Sequence, residues 1–320
     1  MLSRGRVLSV LLIGIGVAFI VAAFAIPRVI DDEPKVPLNL QDTTLQLVAE
    51  DAVTAKVAPG GEVEEVTGPV RRQFHAQFIE PADEKTVTLR VGVSMTRITD
   101  QTTAEDPLDG LVNASVWTYT IDRLTGEATG PATISDQPLG VQQEVDMNGS
   151  WAKFPANVEQ RNYPVFDYTL RQPVEAEFVG TEDREGVEVL HFTQTIAPTD
   201  ISKRYQSVIT QGEIDGTPVH LEYSGTRDWW VERTSGLVVD LAEDLDARWE
   251  DEDGQRVATA MKFDGRMPQT ASTAALEQAA DVADTPNTSV WAIVIGVIGA
   301  ILALVGLFGV LRRESGDNGE

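Results

Sequence analysis

Apolar positions follow two different rules along this chain. Near the ends they are unbroken: VLSVLLIGIGVAFIVAAFAI covers residues 7–26 and VWAIVIGVIGAILALVGLFGVL covers residues 290–311. Between them they alternate. In TVTLRVGV, Val87, Leu89, Val91 and Val93 share one face, with Thr86, Thr88, Arg90 and Gly92 opposite, which is the period of a strand buried on one side. Similar runs cover 43–49, 73–79, 116–121, 174–179, 187–195, 219–224, 237–241 and 257–263. Turn-forming clusters such as GTEDREG, QGEIDGTP and DEDG punctuate them. The pattern predicts a mainly β domain, an antiparallel sandwich or half-barrel of hairpins, anchored by one N-terminal and one C-terminal transmembrane helix. Helical periodicity is scarce in the middle. SDQPLGVQQEVDM at 135–147 is one candidate, and the Ala-rich QTASTAALEQAADVAD at 269–284 is the other.

Length turns the two unbroken runs into membrane spans. At ~1.5 Å per residue the second run reaches about 33 Å, matching a hydrocarbon core of ~30 Å. Trp291 suits the headgroup layer at one end, and Arg312 with Arg313 closes the other. Arg4 and Arg6 precede the first run. Two readings of that run compete: a signal peptide cut after Ala23-Phe24-Ala25, or an uncleaved anchor. Its length exceeds the ~7–15 residues of a signal core and favours the anchor. Both arginine pairs then put the termini in the cytoplasm and residues 27–289 outside the plasma membrane. The expected organisation is a cytoplasmic start at 1–6, helices at 7–26 and 290–311, and a tail at 312–320. Between the helices come a Pro-rich stalk at 27–42, the β domain at 43–268, and a juxtamembrane helix or stalk at 269–289. Small residues at helix-packing spacing, Gly14 with Ala18, Gly296 with Ala300 and Gly299 with Ala303, predict that the spans pair as a hairpin.

Charge and composition remove several functions. The chain carries 50 acidic and 25 basic side chains, a net charge of -25. Residues 1–6 contribute +2 and residues 312–320 contribute -1, so the middle carries -26. A nucleic-acid partner is excluded on that balance. With no cysteine there is no disulfide, thiolate nucleophile or Cys-ligated metal. His75, His191 and His220 sit in strand-like contexts, and no HExxH, G-x-S-x-G, P-loop or dinucleotide motif is present. No cofactor is indicated. WEDEDGQR, with Asp251, Asp253 and Gly254, holds part of a calcium loop and reads as a charged hairpin turn. Asn113 and Asn287 begin glycosylation sequons, which matter only in a host with the machinery. Among fifty acids no catalytic pair can be nominated, so the reading leans away from an enzyme.

Two local features stand out. YTIDRLTG, from Tyr119, matches WWVERTSG, from Trp229, at a spacing of 110; each reads as a strand entering a turn, and a duplicated half-domain stays open. FPANVEQRNYPVFDYTL gathers Phe154, Tyr163, Phe166 and Tyr168 with two prolines. Those aromatics pin a crossover loop to the sheet or line an apolar ligand pocket. With the Arg-flanked spans, the FP…YPVFD stretch and the D-R-x-T-G turn, the chain resembles an actinobacterial two-span membrane family of unknown function that carries the label porin PorA. The resemblance implies a channel and transfers no site residue; strand faces this charged do not suit a lipid-facing barrel. The leading expectation is a non-enzymatic envelope protein whose β domain binds or transfers a lipid or other apolar envelope molecule, with membrane lipids, and envelope lipids or proteins, as partners. The alternatives are a porin or channel, and an envelope scaffold or enzyme with an unidentified carboxylate site.

Overall fold

The computed structural model describes residues 4–29, 34–40, 43–57, 62–98, 110–136, 141–284 and 288–314. Asn287, the first three residues and the tail from 315 onward lie outside them. The chain divides into two compact units, Met1–Glu33 with Asp284–Glu320, and Pro34–Ala283.

The first unit is a pair of helices, α1 (Arg4–Val29) and α3 (Thr288–Glu314). Both are apolar and long enough to cross a membrane, over Val7–Ile26 and Val290–Gly309. α1 runs on through Pro27, where the stalk was expected to begin. The helices touch through glycine, but not through all the expected positions. A Cβ on Gly16 would lie 2.5 Å from the Gly299 carbonyl oxygen and 2.6 Å from the Ala303 nitrogen, so only hydrogen fits there. Gly296 faces Ala23, and Gly306 and Gly309 receive Ser9. A Cβ on Gly14 would meet nothing within 4 Å among the described residues, and Ala18 and Ala300 are exposed. The seam therefore lies two positions beyond Gly14.

The second unit is built on one antiparallel sheet. Its strands are β1 (Thr44–Val57), β2 (Val63–Ala82), β3 (Thr86–Arg97), β4 (Leu111–Asp122), β5 (Ala132–Ser135), β6 (Gln143–Val145) and β7 (Tyr163–Asp167). They continue as β8 (Gln172–Arg184), β9 (Val187–Asp200), β10 (Gln211–Ile214), β11 (Thr217–Glu232), β12 (Val238–Glu250) and β13 (Arg256–Arg266). Among the described residues the sheet has 13 strands, in the order β6-β5-β4-β3-β2-β1-β13-β12-β11-β9-β8-β7, with β10 paired to β11. Seven of the nine alternating runs fall wholly within a strand, and those at 43–49 and 237–241 each begin one residue before β1 and β12. The expected helix at 135–147 is replaced by the end of β5 and by β6, because Ala132, Ile134 and Val145 are needed as buried strand positions. Residues 269–283 do form a helix, α2 (Gln269–Ala283), which buries Ser272, Leu276, Ala279 and Val282 along one face. It packs on Val189, Trp230 and Val239 rather than standing as a stalk. Residues 34–40 are likewise docked: the Val36 amide donates to Arg123 O at 3.0 Å, and Arg123 Nε donates to Val36 O at 2.9 Å.

The sheet curls until its far ends meet. Phe166 of β7 stands edge-on to Trp117 of β4 with centroids 5.8 Å apart. Ser150 stitches the seam: its amide donates to Pro164 O at 3.1 Å, its carbonyl accepts from Phe166 N at 2.7 Å, and it bridges Glu127 on the other side. The larger apolar cores lie around Trp117, Tyr119 and Trp151 and around Phe154, Phe192 and Phe263.

The two similar turns prove to be one device used twice. Gly126 N donates to Asp122 O at 2.9 Å and Gly236 N to Glu232 O at 3.0 Å, and both glycines have φ 73°. Asp122 caps the amides of Leu124 and Thr125, and Glu232 caps those of Thr234 and Ser235. The strands repeat as well: reading across the sheet, β7 to β13 run in the same direction as β1 to β6. Between the turns lies the segment 153–158. Phe154, Asn157 and Val158 donate backbone bonds of 2.7–2.8 Å to Gly236, Thr234 and Arg233, while Ala156 donates to Leu124 at 2.9 Å. A side chain at either glycine would collide with the carbonyls of this segment.

Candidate functional site

Within the second unit, a cavity of about 180 Å³ opens between the β2–β4 face, the strip around Val36 and Leu40, the β12 residue Leu241, and Ala271, Ala274 and Ala275 of α2. Its wall is apolar, as the inward positions of alternating strands require. Phe74, Tyr119, Trp151 and Trp229 bring the aromatic surface. Tyr119 Oη and Trp229 Nε1 are buried without a hydrogen-bond partner among the described residues. Burial pushes the Tyr119 phenol far above its ordinary range, so it stays protonated and a donor.

Lys153 is the one basic residue in that wall. It is 1% exposed. Its ammonium donates to Leu124 O at 2.8 Å and lies 3.4 Å from Arg123 O. Burial pulls its pKa down to about 7, with Asp122 pulling the other way. Near neutrality it is poised between charged and uncharged forms.

Phe154, Tyr163, Phe166 and Tyr168 do not line the cavity. Phe154 stacks on Phe192 at 4.9 Å and sits in the clamp between the turns. Tyr163 packs edge-on to Phe154, and its hydroxyl accepts from Glu159 N at 2.9 Å. Phe166 fills the core beside Trp117. Tyr168 stands against Phe74 and Trp151. They sit where a crossover pinned to the sheet puts them.

Beneath Tyr168 the interior holds a set of charges. Arg227 Nε donates to Glu243 Oε1 at 2.6 Å, its Nη1 to Asp167 and to Gln194 Oε1, and its Nη2 to Tyr223 Oη at 2.9 Å. Arg72 pairs with Glu243 at 3.2 Å and donates to Tyr168 Oη. All four charged residues are at most 3% exposed. Burial lowers the Arg227 pKa, but Asp167, Tyr223 and Glu243 outweigh it and hold the guanidinium charged. Two cations meet two anions, so the cluster is neutral, and its worth lies in specificity more than in net stability. It fills this part of the interior with paired groups.

A family model described as Porin PorA matches residues 8–308. The chain belongs to the Porin PorA family. It is similar to the Porin PorA of Corynebacterium amycolatum, at 27% identity over 219 residues, covering 55% of this chain and 53% of that protein. It is also similar to the Porin PorA of Corynebacterium resistens, at 27% over 242 residues, covering 66% of this chain and 57% of that protein. The chain thus spans little more than half the length of the curated relatives it matches. The Porin PorA match takes in most of each apolar helix and the whole sheet.

Several of these residues escaped the sequence reading. Arg227 shares its strand face with Trp229 and Val231, and Glu243 shares one with Leu241 and Leu245. A charge in the apolar phase of a strand was the available signal. The cavity wall had none, because it joins strands, a strip and a helix that lie far apart along the chain.

Proposed function

We propose that this chain is a porin- or channel-type protein of the envelope membrane, crossing the plasma membrane twice with both termini cytoplasmic and residues 27–289 outside. The family match over residues 8–308 carries this reading, and the relatives' name supplies the activity. The interior of the β domain constrains the mechanism. Among the described residues Arg227 is paired with Asp167 and Glu243 and the core aromatics pack on one another, which supports conduction by an assembly rather than through the sheet of one copy. The only hydroxyl in the described apolar runs before residue 288, Ser9, is turned onto Gly309. Conduction then belongs to an assembly of several copies, with the acidic domains gathering cations at the mouth. Planar-bilayer recording on the purified full chain tests this: reproducible unitary steps favouring cations are expected, and silence at every protein concentration rules the channel out.

The cavity favours a second reading, in which the β domain holds an apolar envelope molecule. A volume of about 180 Å³ limits it. That is close to the ~150 Å³ known to hold benzene and below the ~300 Å³ of a drug-sized site, so a short alkyl or aromatic group enters rather than a whole lipid. Ala275→Trp fills the space. Binding of an apolar fluorescent probe to the full chain, lost in that variant, is the expected result; equal binding by both proteins contradicts it.

A further inference from the structure

We propose that His220, Glu222 and Glu250 form a binding site for a divalent transition-metal ion of the zinc class, closed on one side by Asp200. The placement follows from register. His220 and Glu222 are two residues apart on β11 and project from the same face. Glu250 of β12 lies directly opposite His220, and Asp200 of β9 lies directly opposite Glu222. Three neighbouring strands thus bring one imidazole and three carboxylates to one patch, away from the cavity and the buried ion cluster.

The distances suit a small ion. One ligand atom from each of His220, Glu222 and Glu250 lies within 4.8 Å of the others. A tetrahedral ion at ~2.0–2.1 Å from its ligands needs them about 3.4 Å apart, so side-chain rotation of an ångström or so closes the site. The strands hold the Cβ atoms in place meanwhile. All three side chains are half-buried, which limits competition from water without sealing the entry.

The electrostatics favour a cation. Glu250 has Arg248 at 2.6 Å, and Asp200 has Lys203 at 3.2 Å and His220 at 3.7 Å. Glu222 has no hydrogen-bond or ion-pair partner among the described residues. Burial raises its pKa and the Glu250 and Asp200 charges raise it further, outweighing Arg248, which lies directly opposite on β12, and His220. A divalent ion relieves that repulsion. The imidazole sets the class: nitrogen suits zinc, cobalt and nickel, whereas calcium and magnesium take oxygen alone.

The test uses the full chain in detergent micelles, stripped with chelator and titrated with Zn²⁺ by calorimetry, with thermal unfolding in parallel. One equivalent is expected to bind and to raise Tm. His220→Ala and Glu222→Gln should each weaken binding at least tenfold. Glu222→Gln removes a repelled charge, so it should fold at least as stably as wild type in chelator, and its loss of binding cannot come from misfolding. Asp253→Asn, in the exposed acidic turn, should bind normally. No binding, binding unchanged in both site variants, binding lost in Asp253→Asn, or Ca²⁺ held as tightly as Zn²⁺ would each overturn the site.

Discussion

The two halves of the sheet place different chemistry at matching points. The 110-residue offset that aligns the turns sets Trp117 of β4 against Arg227 of β11. Trp117 faces Ile134 on the neighbouring strand β5, and Arg227 faces Glu243 on the neighbouring strand β12. One half closes its core with an indole on an aliphatic side chain. The other closes it with a guanidinium between Glu243 and Asp167. Turn geometry survives that difference because it depends on the capping acid and the glycine, not on the core. The backbone is set by the turns, and each half is free to choose what fills it.

Removing each centre separates the two halves most strongly. Arg227→Met leaves Asp167 and Glu243 buried with too little positive charge, and should cost about 3–5 kcal/mol. Trp117→Phe leaves nothing charged behind and should cost about 1–2 kcal/mol. Denaturant unfolding followed by tryptophan fluorescence measures both; equal losses would mean the halves are not distinct. Next come the turns. Gly126→Ala and Gly236→Ala each force a side chain into the left-handed region and onto the 153–158 segment, for about 2–4 kcal/mol apiece. Similar costs would support one device used twice, and a neutral result at either would contradict it.

Lys153 makes the stability of the fold depend on pH. Unfolded, it keeps its proton to about 10.5, but folded it releases it near 7. The unfolded chain binds more protons across that window, so stability should rise by about 2–3 kcal/mol from pH 7 to 9. Lys153→Met should flatten the rise. The smallest effect lies in the helix pair. Gly16→Leu should loosen it by about 1–2 kcal/mol while Gly14→Leu leaves it intact. Crosslinking between cysteines placed at Ala23 and Gly296 reads the difference.

Alternation exposed the β domain almost completely, because a strand with one wet face must write its period into the sequence. Length and charge exposed both apolar helices for a similar reason. Short strands did not show. β6 and β10 pair through backbone, and three or four residues hold too little period to detect. Helix packing was legible as a tendency toward small residues, not as a choice between Gly14 and Gly16, since rotation about the helix axis decides that. Phe154, Tyr163, Phe166 and Tyr168 announced a special segment, yet core and pocket aromatics share one signature. His220 and Glu250 meet only through strand register, which no stretch of sequence carries alone.

Both functional proposals stand on two membrane crossings that leave the acidic β domain outside. Because the chain has no cysteine of its own, single cysteines report directly. With Asp253→Cys, Ser3→Cys and Ser315→Cys in intact cells, a membrane-impermeant maleimide should label position 253 and neither terminal position. Labelling at position 3 or 315, or protection of 253 until the cells are broken, would contradict the topology and the roles built on it.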